Sequence, residues 1–193
     1  MILLKQGRLG LLGLMLVAPL WLTGCFPVVA TGVVTGAMMV EDRRSSGIYI
    51  EDQNIELKAD AALQRFGDTV HVNVVSYNRQ VLLVGQIPSA TVRTQIVDAV
   101  RAVPSVRGVL DEMSLAAPVA LTIRSNDAYI TSKVKARMVE AGKFSTNHVK
   151  VITENGVTYL MGLVTRREGQ DAADVTATTS GVQKVVRLFE YLN

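Results

Sequence analysis

Residues 149–162 read Val149-Lys150-Val151-Ile152-Thr153-Glu154-Asn155-Gly156-Val157-Thr158-Tyr159-Leu160-Met161-Gly162, and this stretch decides the fold. β-Branched and aromatic residues flank Asn155-Gly156, the pair that best accepts the positive φ angles of a two-residue hairpin. The segment is therefore two antiparallel strands. The same pattern occurs earlier. Val72-Asn73-Val74, Tyr77-Asn78-Arg79-Gln80 and Leu83-Val84-Gly85 align with it at an offset of 77 residues. Val106 and Val109 match Val182 and Val185 at 76, and Ile55, Ala59 and Leu63 match Ile130, Val134 and Met138 at 75. Such self-similarity with only small indels indicates an internal duplication.

Each copy reads helix, strand, strand, helix, strand. In the first, residues 53–66 place Ile55, Ala59, Ala62, Leu63 and Phe66 on one helical face. Residues 70–76 and 80–86 are strands around a polar turn. Pro88 suits the start of a second helix, with Val92, Ile96, Ala99, Val100 and Val103 as its stripe. Pro104 ends it, and 106–114 returns as a strand. In the second copy, Thr165-Arg166-Arg167-Glu168 reads as a capping box, and 183–192 closes the unit. The predicted fold class is α+β: two tandem αββαβ units, each a three-stranded mixed sheet covered on one face by two helices. Units of about 65–70 residues have small cores, which leaves room for mutual support across an interface.

The N-terminus is unlike the rest. Lys5 and Arg8 precede the apolar run 9–22, which is shorter than the ~20 residues of a comfortable bilayer span. Leu22-Thr23-Gly24-Cys25 then resembles the lipobox of bacterial lipoproteins. Small residues admit the extended chain to a peptidase, and the cysteine thiolate takes the diacylglycerol. An uncleaved anchor with an incidental cysteine is the competing reading. Cys25 is the sole cysteine, so no disulfide forms within the mature chain. The expected division is 1–24 signal peptide, 25–47 lipidated Cys25 and flexible tether, and 48–115 and 124–193 the two domains. Phe26, rather than Asp, after the cysteine suggests sorting to the outer membrane, inner leaflet. The only non-protein group expected is the N-acyl and S-diacylglycerol lipid on Cys25.

Removing Lys5 and Arg8 lowers the net charge from +3 to +1, which gives nucleic-acid binding no support. Residues 48–115 carry six Lys/Arg against eight Asp/Glu (−2), and residues 124–193 ten against seven (+3). An anionic membrane should prefer the second copy. In its first helix, about 126–141, Ile130, Val134 and Met138 form a narrow core stripe. Tyr129, Ala136 and Val139 fall mostly away from it, and Lys133, Lys135 and Arg137 lie along the flanks. Apolar groups edged by lysines suit the headgroup level of a bilayer. The candidate phospholipid-contacting residues are Tyr129, Ile130, Lys133, Lys135, Arg137 and Val139. Packing of Tyr129 against the first unit is the alternative. The first helix of the first copy has Glu56 and Asp60 on its polar side and no outward aromatic.

Catalytic patterns are missing. His71 and His148 occupy equivalent positions without clustered Cys or carboxylates, and read as strand residues rather than a metal pair. Glu51/Asp52 and Asp111/Glu112 read as solvated. No phosphate loop, nucleophile elbow or HExxH motif occurs. Neither an enzyme nor a small-molecule substrate is expected.

Two stretches of each copy resemble BON domains: Val81-Leu82-Leu83-Val84-Gly85 with Val103-Pro104-Ser105-Val106, and Tyr159-Leu160-Met161-Gly162 with Ser180-Gly181-Val182. With the lipobox, Ser125-Asn126-Asp127 and the run from Val151 to Thr165, the chain resembles the dual-BON lipoproteins of proteobacterial envelopes. The resemblance implies a periplasm-facing outer-membrane lipoprotein that binds anionic phospholipid and supports envelope integrity. It further implies a division-site location and a link to outer-membrane protein assembly machinery. In the family the lipid-contacting helix has an aromatic where this chain has Tyr129. Tyr in place of Trp would insert less apolar area.

Overall fold

The first repeat runs α1 (Ser46–Leu63), β1 (His71–Tyr77), β2 (Gln80–Ile87), α2 (Ala90–Arg101) and β3 (Gly108–Leu115). The second runs α3 (Leu121–Ala141), β4 (Val149–Glu154), β5 (Val157–Val164), α4 (Arg166–Ala177) and β6 (Lys184–Tyr191). This computed structural model describes residues 42–192. The expected signal peptide, Cys25 and the expected tether up to residue 41 lie outside the described residues. In each sheet the second strand is central, antiparallel to the first and parallel to the third, so both are mixed, as expected.

Local chemistry accounts for the elements. Asn155 and Gly156 take φ of 48° and 75°, and Asn78 and Arg79 take 51° and 63°, the left-handed pairs a two-residue hairpin needs. Thr165 and Glu168 form the capping box that starts α4. Gly85 and Gly162 hold equivalent places, and a Cβ on either would collide with the backbone carbonyl of His71 or His148 in the adjacent arm of the hairpin. The helix starts differ from expectation. Both α1 and α3 begin several residues early, at the repeat-equivalent positions Ser46 and Leu121. Ser45 caps α1 by accepting from the Ile48 N–H, so residues 42–47 belong to the folded unit and not to the tether. At its far end α1 gives way to a 3₁₀ segment, Gln64–Thr69, which bends at Gly67.

Three apolar cores result. Ile55, Ala59, Val74, Leu83, Ile96 and Val100 lie between the first helix pair and the first sheet. Ile130, Val134, Met138, Val151, Leu160 and Ala172 do the same in the second repeat. The third core joins Val75, Tyr77, Leu82 and Val84 to Ile152, Tyr159 and Met161, with Leu110 and Leu188 at its rim. The sheets therefore pack face to face, and each helix pair lies outside.

The interface contacts come in equivalent pairs. The Tyr77 hydroxyl donates to the His148 carbonyl (3.3 Å) and accepts from the Leu163 N–H (3.5 Å). Seventy-seven residues from Tyr77, Glu154 faces His71 (3.9 Å) and accepts from Gln86 (2.8 Å). His71 and His148, and Gln86 and Leu163, are likewise 77 apart. A contact i–j accompanied by its counterpart is the signature of a two-fold interface. Here both halves are one chain.

Two arginines strap the start of the described chain across both repeats. Arg44 pairs with Asp42 (2.6 Å) and Asp52 (2.8 Å) and lies over the Tyr77 ring, 4.0 Å from its centroid. Arg43 reaches the second repeat, bonding both Glu168 oxygens (2.7 and 2.8 Å) and the Leu163 carbonyl (3.0 Å). The Arg43 guanidinium holds the Glu168 carboxyl down at about 2. His148 Nδ1 lies 3.6 Å from Glu168.

Leu82→Ala opens a cavity in the shared core and is expected to cost about 2–5 kcal/mol. Denaturation followed by circular dichroism should show one lowered, cooperative transition; two separate transitions would contradict a shared core. A second expectation concerns pH. A depressed carboxyl stabilises the fold above its unfolded value and loses that contribution as pH falls through its folded value. The stability gap between the parent and Glu168→Gln should be complete above pH 4.5 and close as pH falls toward about 2, read by melts across that range.

Candidate lipid-facing helix

α3 has apolar side chains on two faces. The inner face buries Ile130, Val134 and Met138, at 2%, 0% and 1% exposure. Asp127 on the same face accepts from the Asn155 and Gly156 N–H groups (2.8 and 2.9 Å). It thereby ties the helix to the hairpin turn and satisfies donors that the turn leaves unpaired. Asp52 does the same for the Asn78 and Arg79 N–H groups (2.8 and 2.7 Å), 75 residues earlier. Asp52 is fully buried, which corrects its reading as solvated. The outer face carries Leu121, Tyr129 and Val139, exposed at 72%, 63% and 66%. Leu121 and Val139 are five turns apart on one azimuth, a strip of about 27 Å, with Tyr129 about 80° to the side.

The six candidate residues separate. Tyr129 and Val139 face outward, and Tyr129 does not pack against the first repeat. Ile130 is core: a Cβ on Gly181 would touch it at 3.0 Å, so it is withdrawn as a lipid contact. Its place on the stripe with Val134 and Met138 turns it inward. Arg137 bonds the Val175 carbonyl (3.2 Å) and Thr179 Oγ1 (2.8 Å), closing the C-terminal end of α4. That duty occupies its guanidinium. Lys133 stands 5.1 Å from the Tyr129 ring centroid and donates to Ser180 Oγ (3.2 Å). Lys135 is exposed and has no ion pair among the described residues. It lines a cleft with Tyr49, Gln53 and Lys150. Leu121 escaped the sequence reading because Ala120, before it, offers no capping side chain to signal a helix start.

α1 supplies the comparison. It too exposes apolar residues, Ile50 (53%) and Leu57 (70%). Its Glu56 is not a free polar face, since it pairs with Lys150 of the second repeat (2.7 Å) and accepts from the Ser76 N–H (2.7 Å). Burial raises the Asp60 carboxyl, with the Glu56 charge adding to it. Lys133 and Lys135 are matched in α1 by Lys58 and Asp60, so the two helices differ in charge more than in apolarity.

His71 and His148 have separate neighbours, Glu154 and Arg124 for one and Glu168 for the other. Among the described residues no group of three His, Cys, Asp or Glu could hold a metal, and no helix is long and apolar enough to cross a membrane.

The BON domain model matches residues 51–117 and 126–193, nearly all of the two repeats. This chain belongs to the BON-domain family. It is 34% identical over 185 residues to "Outer membrane lipoprotein DolP" of Haemophilus influenzae, covering 94% of this chain and 96% of that one. It is 29% identical over 157 residues to the "21 kDa hemolysin" of Actinobacillus pleuropneumoniae, covering 78% and 79%. The "Osmotically-inducible protein Y" of Escherichia coli K12 is 26% identical over 144 residues, 72% of each chain. These names describe a lipoprotein, a hemolysin and an inducible protein, and none is the name of an enzyme. A DolP-like BON-domain lipoprotein, with its address at the outer membrane, is the assignment this relationship supports.

Two substitutions separate structural from surface cations on α3. Arg137→Ala removes the charged donor to the Thr179 hydroxyl and to the Val175 carbonyl, which keeps the Thr178 and Thr179 hydroxyls, and should cost about 1–3 kcal/mol. Lys135→Ala should leave the denaturation midpoint unchanged within about 0.5 kcal/mol.

Proposed function

We propose that this chain is a lipoprotein held by acyl chains on Cys25 in the periplasm-facing leaflet of the outer membrane, and that the outer face of α3 contacts anionic phospholipid. The observation that carries this reading is the exposed strip of Leu121, Tyr129 and Val139 with Lys133 and Lys135 beside it. Partial burial of such side chains contributes about 1 kcal/mol each, and a lysine near an anionic surface about as much. Neither suffices to recruit a protein from solution. Beside a lipid anchor they act at high effective concentration and bias where along the membrane the protein dwells. A division-site location and support of envelope integrity accord with that role and with the family resemblance.

Cosedimentation of the lipid-free mature chain with phosphatidylglycerol vesicles tests the site. The double variant Leu121→Ser/Tyr129→Ala and the single variant Lys135→Glu should each weaken binding about tenfold, the equivalent of ~1.4 kcal/mol. Leu57→Ser on α1 should leave it unchanged. Equal binding by all variants would refute the α3 site. A vesicle-blind variant that still co-purifies with outer-membrane assembly machinery would favour a protein-docking role instead.

A further inference from the structure

The two repeats differ at the outer edge of their sheets. The Ala116 N–H donates to the Ile87 carbonyl and the Leu192 N–H to the Val164 carbonyl, repeat-equivalent bonds whose donors are 76 and acceptors 77 residues apart. That parity turns the main-chain groups of Asp111 and Met113 in β3, and of Arg187 and Phe189 in β6, away from their own sheets. In β3 this edge is closed. The Asp111 carboxylate accepts from the Met113 N–H (3.1 Å), and Arg93 of α2 donates to the Met113 carbonyl. Arg93 also stands 3.8 Å from Asp111. Side chains that occupy an edge prevent its pairing with another strand.

The equivalents in the second repeat are Gly169 for Arg93, which has no side chain to reach the strand, and Arg187 for Asp111. Arg187 bonds Gln170 (3.1 Å) instead of the strand. Among the described residues no side chain bonds the Phe189 N–H or carbonyl, so the edge is open. The ground beside it is basic. On the helix side, Arg166, Gln170, Arg187 and Tyr191 line an open cleft, with Arg166 5.2 Å from the Tyr191 ring centroid. The nearby acids are engaged: Asp174 accepts from Gln170 (2.8 Å), and Glu190 pairs with Arg107. On the other face β6 presents Val186 and Leu188, at the rim of the inter-sheet core.

We propose that β6 is a docking edge for an extended acidic segment of a partner protein, which adds a fourth strand to the second sheet. Main-chain pairing supplies affinity, and alternate side chains supply specificity. Positions i and i+2 of the segment meet Arg187 and Arg166 and are therefore Asp or Glu. The intervening positions meet Val186 and Leu188 and are apolar. A second copy of this chain is a poor occupant. Its β6 carries like charge, and its acidic β3 is closed at Met113.

The test uses detergent-solubilised full-length lipoprotein and a fluorescein-labelled heptapeptide of alternating Glu and Val, read by fluorescence anisotropy. Two further peptides carry N-methyl groups on one or the other alternate set of amides. The parent peptide should bind. One methylated set should abolish binding and the other should be tolerated, because an added strand pairs along one edge only. Replacing Glu by Lys in the peptide should also abolish it. Arg187→Glu should weaken binding about fivefold or more with its melting profile retained. No binding by the parent peptide, or equal binding by both methylated peptides, overturns the proposal. So does self-association of the full chain that Arg187→Glu disperses, which would make a second copy the occupant.

Discussion

Everything in this molecule leans on the contact between its two sheets. A three-stranded sheet with helices on one side leaves an apolar face uncovered, and a repeat of this size cannot hold that face in water. Leu82 and Val84 meet Tyr159 and Met161 across the gap, so each repeat supplies the other's missing layer. The central strands β2 and β5 are consequently buried on both faces, which explains why Val81-Leu82-Leu83-Val84 and Tyr159-Leu160-Met161 are continuous apolar runs rather than alternating ones. The same contact sends both helix pairs to the outside. The outer face of α3 is left exposed because the inner faces of the sheets are occupied by each other.

Much of this was legible in the sequence. The duplication, the Asn155-Gly156 hairpin, the Thr165–Glu168 capping box and strands placed within about two residues all follow from short-range chemistry. The stripe of Ile130, Val134 and Met138 follows from helical period. What escaped was decided at long range. Asp52 looks like a solvated acid beside Glu51, yet it is buried because two turn amides 26 and 27 residues away need an acceptor. Arg137 looks like a flank cation, yet it is occupied by α4, 38 residues on. Periodicity tells which face of a helix is apolar. It does not tell which polar side chains have found partners elsewhere, and a binding face is made of those that have not.

The two-fold relation between the repeats turns that lesson into a criterion. Positions that carry the fold keep their chemistry in both copies: Asp52 and Asp127 at the turns, Gly85 and Gly162 against the neighbouring carbonyl, Ile55 and Ile130 in the cores. At several solvent-facing positions the copies part. Tyr129 stands where α1 has Asn54, Lys135 where it has Asp60, and Arg187 where β3 has Asp111. An internal duplication is thus its own control, since the shared fold is subtracted and what remains is charge and exposed apolar surface. Two departures converge on the second repeat, a helix face suited to lipid and a strand edge left open. They lie on different elements and differ in chemistry, exposed apolar side chains and lysines in one, main-chain donors and guanidinium groups in the other. Nothing in the geometry makes them compete for the same residues. On the proposed reading, a protein held at the membrane by acyl chains can therefore rest on lipid through α3 while β6 stays available to a partner.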